Sequence, residues 1–251
     1  MILARITRAI REQNWFAVCL EFVIVIAGVV IGFQVTGWAG EQDQRAIERR
    51  HLVEISDDLD IEIAAYDELI DSALYRIAGV DLLIGEATGE ALPSQLVLST
   101  TTFDIPDLPE IDDERRGHIL GHVNLVRISV GNRSGYDSLI NSGNINLLRN
   151  NDLSRAIQVY YSNHDNLTDT QAVFREVRNE GVGQGYDLGL GAFDELPFES
   201  IVAVVAGSPE YQAYLRTARQ WAVIHAALMR DRQAEAITLL ADIQTYLEST
   251  P

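Results

Sequence analysis

His118 and His122 stand four residues apart, a spacing that puts two imidazoles on one face of a helix and supplies half of a tetrahedral zinc site. Further ligands would have to come through the fold, from Asp112, Asp113 or His164. The H-E-x-x-H pattern is not formed, because position 119 is isoleucine. The pair is therefore a weak metal candidate, two surface or half-buried histidines are the plainer reading, and no metal or cofactor is expected. The run GVGQGYDLGLG beginning at Gly181 has glycines enough for a phosphate loop but contains no G-K-[ST] and no G-x-G-x-x-G, so it reads as a hinge or a packed irregular loop. No serine sits in G-x-S-x-G, and Cys19 lies inside an apolar run where a nucleophile would be inaccessible. Catalytic residues are therefore assigned nowhere, and an enzyme is not expected. Tyr160, Tyr161, Asn163, His164 and Asn166 form a polar-aromatic cluster at a helix end, of which Tyr160, Tyr161 and His164 could line a ligand pocket between helices. The same residues also suit bundle-end packing with tyrosine hydroxyls in water.

One further ionisable group is out of place. Glu21 is the one charge in the stretch Trp15 to Trp38, which runs apolar without a break from Phe22 to Phe33. Twenty-four residues at about 1.5 Å each reach about 36 Å, enough to cross a hydrocarbon core of about 30 Å with some tilt. Tryptophans at both ends suit the two interfaces. The stretch exceeds a signal-peptide core and no A-x-A-like site follows, so an uncleaved signal anchor is expected rather than a cleaved leader. Gly28 and Gly32 form G-x-x-x-G and share one helical stripe with Ala17, Glu21 and Thr36, the pattern by which membrane helices approach closely. On that stripe Glu21 would meet its own copies or a water-filled seam, as a proton- or ion-responsive group or a contact to a partner membrane protein; the alternative is that it reaches back to the interface near Trp15. Arg5, Arg8 and Arg11 precede the span and Arg45, Arg49 and Arg50 follow it. The first set is nearer the bilayer and is joined by the α-amino group, so residues 1–14 are expected in the cytoplasm and 39–251 outside it, in the periplasm of a cell with two membranes. Ile2, Leu3, Ile6 and Ile10 alternate with the first arginines, and this segment could also lie along the anionic inner leaflet.

The 251 residues are 47% apolar, enough for one sizeable core plus an attached segment. Nineteen cations, all arginine, face 37 acids, and a net charge of −18 argues against nucleic acid as a partner. A lone cysteine excludes a disulfide scaffold.

The segments EFVIVIAGVVIGFQVTGW and EQDQRAIERRHLVEISDDLD, with the block YDSLINSGNINLLRNNDLSRAIQVYY at 136–161, resemble a family of uncharacterised bacterial single-pass membrane proteins. Glu21, Gln34 and Trp38 match the family's span, whereas Thr36 and Gly37 stand where its exit motif has asparagines. The resemblance covers about 70 residues and implies an N-terminal anchor with a helical domain. It carries no activity.

The expected fold is all-α: one transmembrane helix (15–38) continuing into a long stalk helix, then an antiparallel helical bundle within 39–251. Leu52, Ile55, Leu59, Ile63, Tyr66, Ile70, Leu74 and Ile77 set an eleven-residue repeat that predicts a helix to about Ile84. Asp57, Asp58, Asp60, Glu62, Asp67, Glu68 and Asp71 occupy the other positions and read as its solvated face. Residues 85–113, with Pro93, Pro106 and Pro109, read as a loop with one short strand near Leu96 to Leu98. Helical patterning resumes near Glu114, breaks from Gly131 to Ser134 and stops at Gly143. Asp152 is the expected cap of a helix through Tyr161, and Asp165 or Thr168 of a separate one containing Phe174. Residues 181–208 read as a flexible connection, and Pro209 opens a last helix, Glu210 to Leu247, with a stripe of Tyr214, Trp221, Ile224, Leu228, Ile237, Leu240, Ile243 and Leu247. The expected role is a membrane-anchored binding or sensory module that self-associates through Glu21, Gly28, Gly32 and Thr36. Its partners are the lipid bilayer and a second copy or another membrane protein. An accessory subunit of a heteromeric membrane complex is the alternative, and a metal-dependent envelope enzyme at His118 and His122 the last.

Overall fold

The computed structural model describes residues 15–127 and 131–249, apart from the side chains of 15–18, 165, 166 and 168–170. The basic segment 1–14 and the place of Ala17 on the stripe therefore lie outside the described residues. Two compact units divide the chain, Met1–Arg50 and His51–Pro251.

The described part of the first unit belongs to α1 (Trp15–Thr88), whose residues Cys19 to Gln44 are all exposed. Phe22, Val25, Ile31 and Phe33 are each more than half exposed, and their stretch has a mean hydropathy of 2.2. Leaving such side chains in water forgoes about 1.5–3 kcal/mol apiece. This is one helix long and apolar enough to cross a membrane. Thr36 turns its hydroxyl back onto the Gly32 carbonyl at 2.9 Å, which satisfies the hydroxyl within the helix.

The second unit is a bundle whose layers alternate in direction. Its first layer is α1 from His51 onward. Past a hairpin of β1 (Gln95–Leu98) and β2 (Thr101–Asp104), the chain returns along α1 through α2 (Asp113–Gly117), α3 (Ile119–Asn124), α4 (Ser134–Asn141) and a 3-10 turn at Asn144–Leu147. The contacts run in order: Val123 lies beside Gly79, Arg127 binds Glu68, the backbone of Gly135 packs on Glu54 and Ile55, and Asn144 reaches His51. The third layer is α5 (Asn151–Asp187). After α6 (Phe198–Gly207), α7 (Pro209–Ser249) runs back, pairing Arg232 with Tyr160, Trp221 with Phe174 and Tyr211 with Gly185. Against α1 it pairs Gln233 with Asp67 and Arg219 with Asp81. The expected all-α antiparallel bundle is present, with its second layer built from short helices. One apolar cluster centres on Leu52, Ile55, Leu59, Ile157, Leu239 and Ile243; another on Leu83, Ile84, Ile119, Leu120, Ile201 and Leu215.

Several local expectations are corrected. Residues 85–113 hold a two-stranded hairpin, with Ser99 at φ 51 in its turn. Residues 181–208 are no flexible connection: Gly181, Gly183 and Gly185 lie inside α5, and Phe198–Gly207 is helical. A Cβ at Gly181 would overlap the Tyr214 ring, so this glycine marks a close helix approach rather than a hinge. Asn150, not Asp152, caps α5, accepting from the amides of Asp152 and Leu153 at 3.0 and 3.1 Å. The helix then continues unbroken past residues 165 and 168. On α7 Tyr214 and Ile243 of the expected stripe are buried, with Ala218, Ala222, Ala226 and Ala236 beside them, but Ile237 is 51% exposed.

Candidate functional site

The acidic face expected in water along α1 is not uniform. Asp58 and Glu62 are buried, one turn apart. Each has its own set of partners.

Asp58 meets the start of α4, accepting from the Ser134 hydroxyl at 2.9 Å and the Gly135 amide at 2.6 Å. A carboxylate there satisfies a helix-terminal donor and complements the helix dipole, acting as a cap supplied from another helix. The approach requires glycine, because a Cβ at Gly135 would stand 2.8 Å from backbone atoms of Glu54 and Ile55.

Glu62 takes the Tyr66 hydroxyl at 2.8 Å and stands 3.2 Å from Nδ1 of His164, an ion pair when the imidazole is protonated. The Tyr160 hydroxyl is 3.5 Å from that of Tyr66. Burial pushes the Glu62 carboxyl up, but the hydrogen bonds from His164 and Tyr66 and the charge of His164 outweigh it, so the group is held below its ordinary value. Burial first, then the Glu62 charge, pushes the phenols of Tyr66, Tyr160 and Tyr161 upward, and they stay neutral donors. Tyr161 stacks on Tyr136 with ring centroids 4.2 Å apart and meets Tyr160 edge-on at 5.2 Å. The imidazole of His164 packs on the backbone of Gly131, which adopts φ 64. Arg232 closes the cluster from α7: its guanidinium lies 4.5 Å over the Tyr160 ring, Nη2 donates to the Tyr160 carbonyl at 2.9 Å, and Nη1 binds Glu235.

The three residues expected to line a pocket share α5, but their side chains go to different places. Tyr160 lines an open groove of about 410 Å³ between α5 and α7, with Ala156, Val159, Asn163, Glu235 and Asp242. Tyr161 and His164 are sealed in the core, each 3% exposed or less. The carboxylate-imidazole pair has acid–base groups, yet side-chain exposures of 4% and 2% leave it shielded from solvent, so its part is to hold a charge in place. Glu62 and Asp58 were missed because they sit in an acidic run. The signal available was their i, i+4 spacing on the flank of the apolar stripe.

The histidine pair does not share one helix. His118 is the exposed junction between α2 and α3, with φ −107 and ψ 18. His122 stacks on Tyr75 at 5.4 Å in a surface cavity of about 400 Å³ with Glu68, Asp71 and Arg127. Burial, then the charges of Arg115 and His118, pushes its imidazole down. Among the described residues no three His, Cys, Asp or Glu side chains gather as a metal site. Glu21, Gly28, Gly32 and Thr36 are exposed on α1, and a Cβ at either glycine would meet nothing within 4 Å.

No family model matches the chain, and no curated protein or solved structure does. The site is therefore read from its own geometry.

Proposed function

We propose that this chain is a single-pass, membrane-anchored helical module that works by binding rather than catalysis and self-associates through its transmembrane helix. The observation carrying the reading is the contrast within α1: an apolar stretch fully exposed from Leu20 to Trp38, and from His51 a face packed into a core. Water does not support the first stretch, whereas a bilayer does. Trp15 and Trp38 frame it, and the nearer arginine set favours a cytoplasmic N-terminus with residues 39–251 outside the inner membrane of a bacterium, in keeping with the family that the anchor resembles. Gly28 and Gly32 offer the open face that close packing of two such helices needs.

A second reading is favoured by Glu21, a carboxylate in the apolar stretch on the same stripe: an accessory subunit whose anchor packs against a different membrane protein. Light scattering and mass spectrometry of the full-length protein purified in mild detergent separate the two. A homo-oligomer that dissociates in the Gly28→Leu, Gly32→Leu double variant supports self-association. A stoichiometric second protein supports the accessory subunit, and a monomer without partner removes both. A reporter fused after residue 249 tests the orientation, which fails if the reporter is active only in the cytoplasm.

A further inference from the structure

A second group of buried polar side chains lies further along the bundle, and its composition is opposite in sign to the Glu62 cluster. Arg76 on α1 is 3% exposed. One of its nitrogens donates to the carbonyl of Leu125, a neutral acceptor, while its Nε has no partner among the described residues. Arg178 on α5 is half-buried and its Nε is likewise buried and unpartnered. The two guanidiniums are close enough for the charge of one to act on the other, and among the described residues no carboxylate pairs with either. From α7, His225 is 1% exposed with neither ring nitrogen bonded among the described residues, and it feels the charge of Arg76. Gln171, one turn before Phe174 on α5, is 1% exposed with both amide atoms unpartnered among the described residues. The Tyr214 hydroxyl, within reach of both arginine charges, donates to Asn124 at 3.0 Å.

Burying a guanidinium without an opposite charge costs several kcal/mol, and burying two together costs more. Orphaned buried donors on this scale call for an explanation, an unplaced ion being one. The unmet groups here are chiefly N–H donors on cations, so their complement is an acceptor-only group with negative charge. A planar guanidinium fork matches the spacing of two oxygens on one centre.

We propose that Arg76 and Arg178 form the floor of an internal binding site for a small oxyanion, a carboxylate, phosphate or sulfate group, with His225 and Gln171 as further hydrogen-bonding partners. Phe174 gives the site an apolar wall, its ring 5.3 Å from His225 and 4.9 Å from Trp221, against which the body of an organic acid would rest. Arg178, half-buried, is the member nearer solvent. The proposal gives a ligand class to the binding role above but lies wholly within residues 76–225, so its failure leaves the oligomer measurements untouched.

The test is thermal unfolding of the full-length protein in mild detergent, in Tris chloride at constant ionic strength, titrated separately with sodium phosphate, sulfate, acetate and benzoate. At least one anion raises the Tm with saturation, and the rise is lost in Arg76→Met and in Arg178→Gln, whose affinity falls about thirtyfold or more. Response to benzoate or acetate alone identifies an organic acid; response to phosphate or sulfate identifies an inorganic or phosphorylated ligand. Without added oxyanion, Arg76→Met is at least as stable as the parent chain, because an uncompensated charge has been removed. Absence of a saturable rise overturns the site, as does a rise that persists in Arg178→Gln, the variant nearer solvent, since that is a general salt effect.

Discussion

His225 offers the sharpest test of how the bundle interior treats charge. Burial, followed by the charge of Arg76, takes its imidazole from 6.5 down to about 4. In the unfolded chain the ring takes a proton below pH 6.5, whereas in the fold it stays neutral until about pH 4. Its contribution is therefore complete above pH 6.5 and is lost progressively as the pH falls to about 4, a difference of about 3 kcal/mol. For a unit of this size that corresponds to a fall in Tm of about 6–12 °C beyond whatever the other groups contribute. The assay is thermal unfolding of the full chain, followed by circular dichroism in chloride buffers across that window, for the parent and for His225→Gln. The parent is expected to lose stability more steeply than the variant. Parallel curves would refute the claim that this ring is held neutral. An oxyanion placed beside Arg76 offsets the guanidinium charge, so the same titration with a bound ligand moves the window upward.

Glu62→Leu leaves the Tyr66 hydroxyl and His164 facing a side chain that cannot accept, and is expected to cost about 3–5 kcal/mol in urea unfolding, with Glu62→Gln retaining part of it. Because the Glu62 carboxyl is held below 4.5, its stabilisation is intact above that pH and disappears as the pH falls through the lower, folded value; acid unfolding of Glu62→Gln should lack this step. Gly135→Ala forces a methyl against the α1 backbone and should cost about 1–3 kcal/mol, measured as a lowered urea midpoint with unchanged slope. Asp58→Ala strands the Gly135 amide and should cost about 1–3 kcal/mol, with hydrogen exchange accelerating first in Ser134–Asn141.

The long helices were legible because their apolar residues recur at helical spacing over many turns, as from Leu52 to Ile77. What failed were places where one residue type serves two purposes. Glycine at 181, 183 and 185 reads as a breaker, yet at Gly181 it makes room for the Tyr214 ring inside a helix. Aspartate and glutamate on α1 read as a solvated face, and whether Asp58 or Glu62 finds a buried donor depends on Gly135 and His164, about 77 and 102 residues away in sequence. The α7 stripe was placed on its large residues, of which Tyr214 and Ile243 are core and Ile237 is not, while the small residues Ala218, Ala222, Ala226 and Ala236, buried beside them, carry no apolar signal as strong. The hairpin turn at Ser99 and Thr100 carries neither Asn-Gly nor Asp-Gly, so nothing local announced it. In the candidate site Tyr160, Tyr161 and His164 were found from their proximity on one helix, while their acidic counterpart on α1 was not.

The alternating layers also have a consequence in time. Asp81 on α1 waits for Arg219, 138 residues later, and Tyr66 for Tyr160, 94 residues later. A ribosome adding about 5–20 residues per second leaves the inner face of α1 uncovered for on the order of ten seconds or more. During that interval Leu52, Ile55 and Leu59 have only the returning short helices and then α5 for cover. Native closure comes when α7 emerges, so newly made chains depend on whatever shields nascent apolar surface until Pro209–Ser249 has been synthesised.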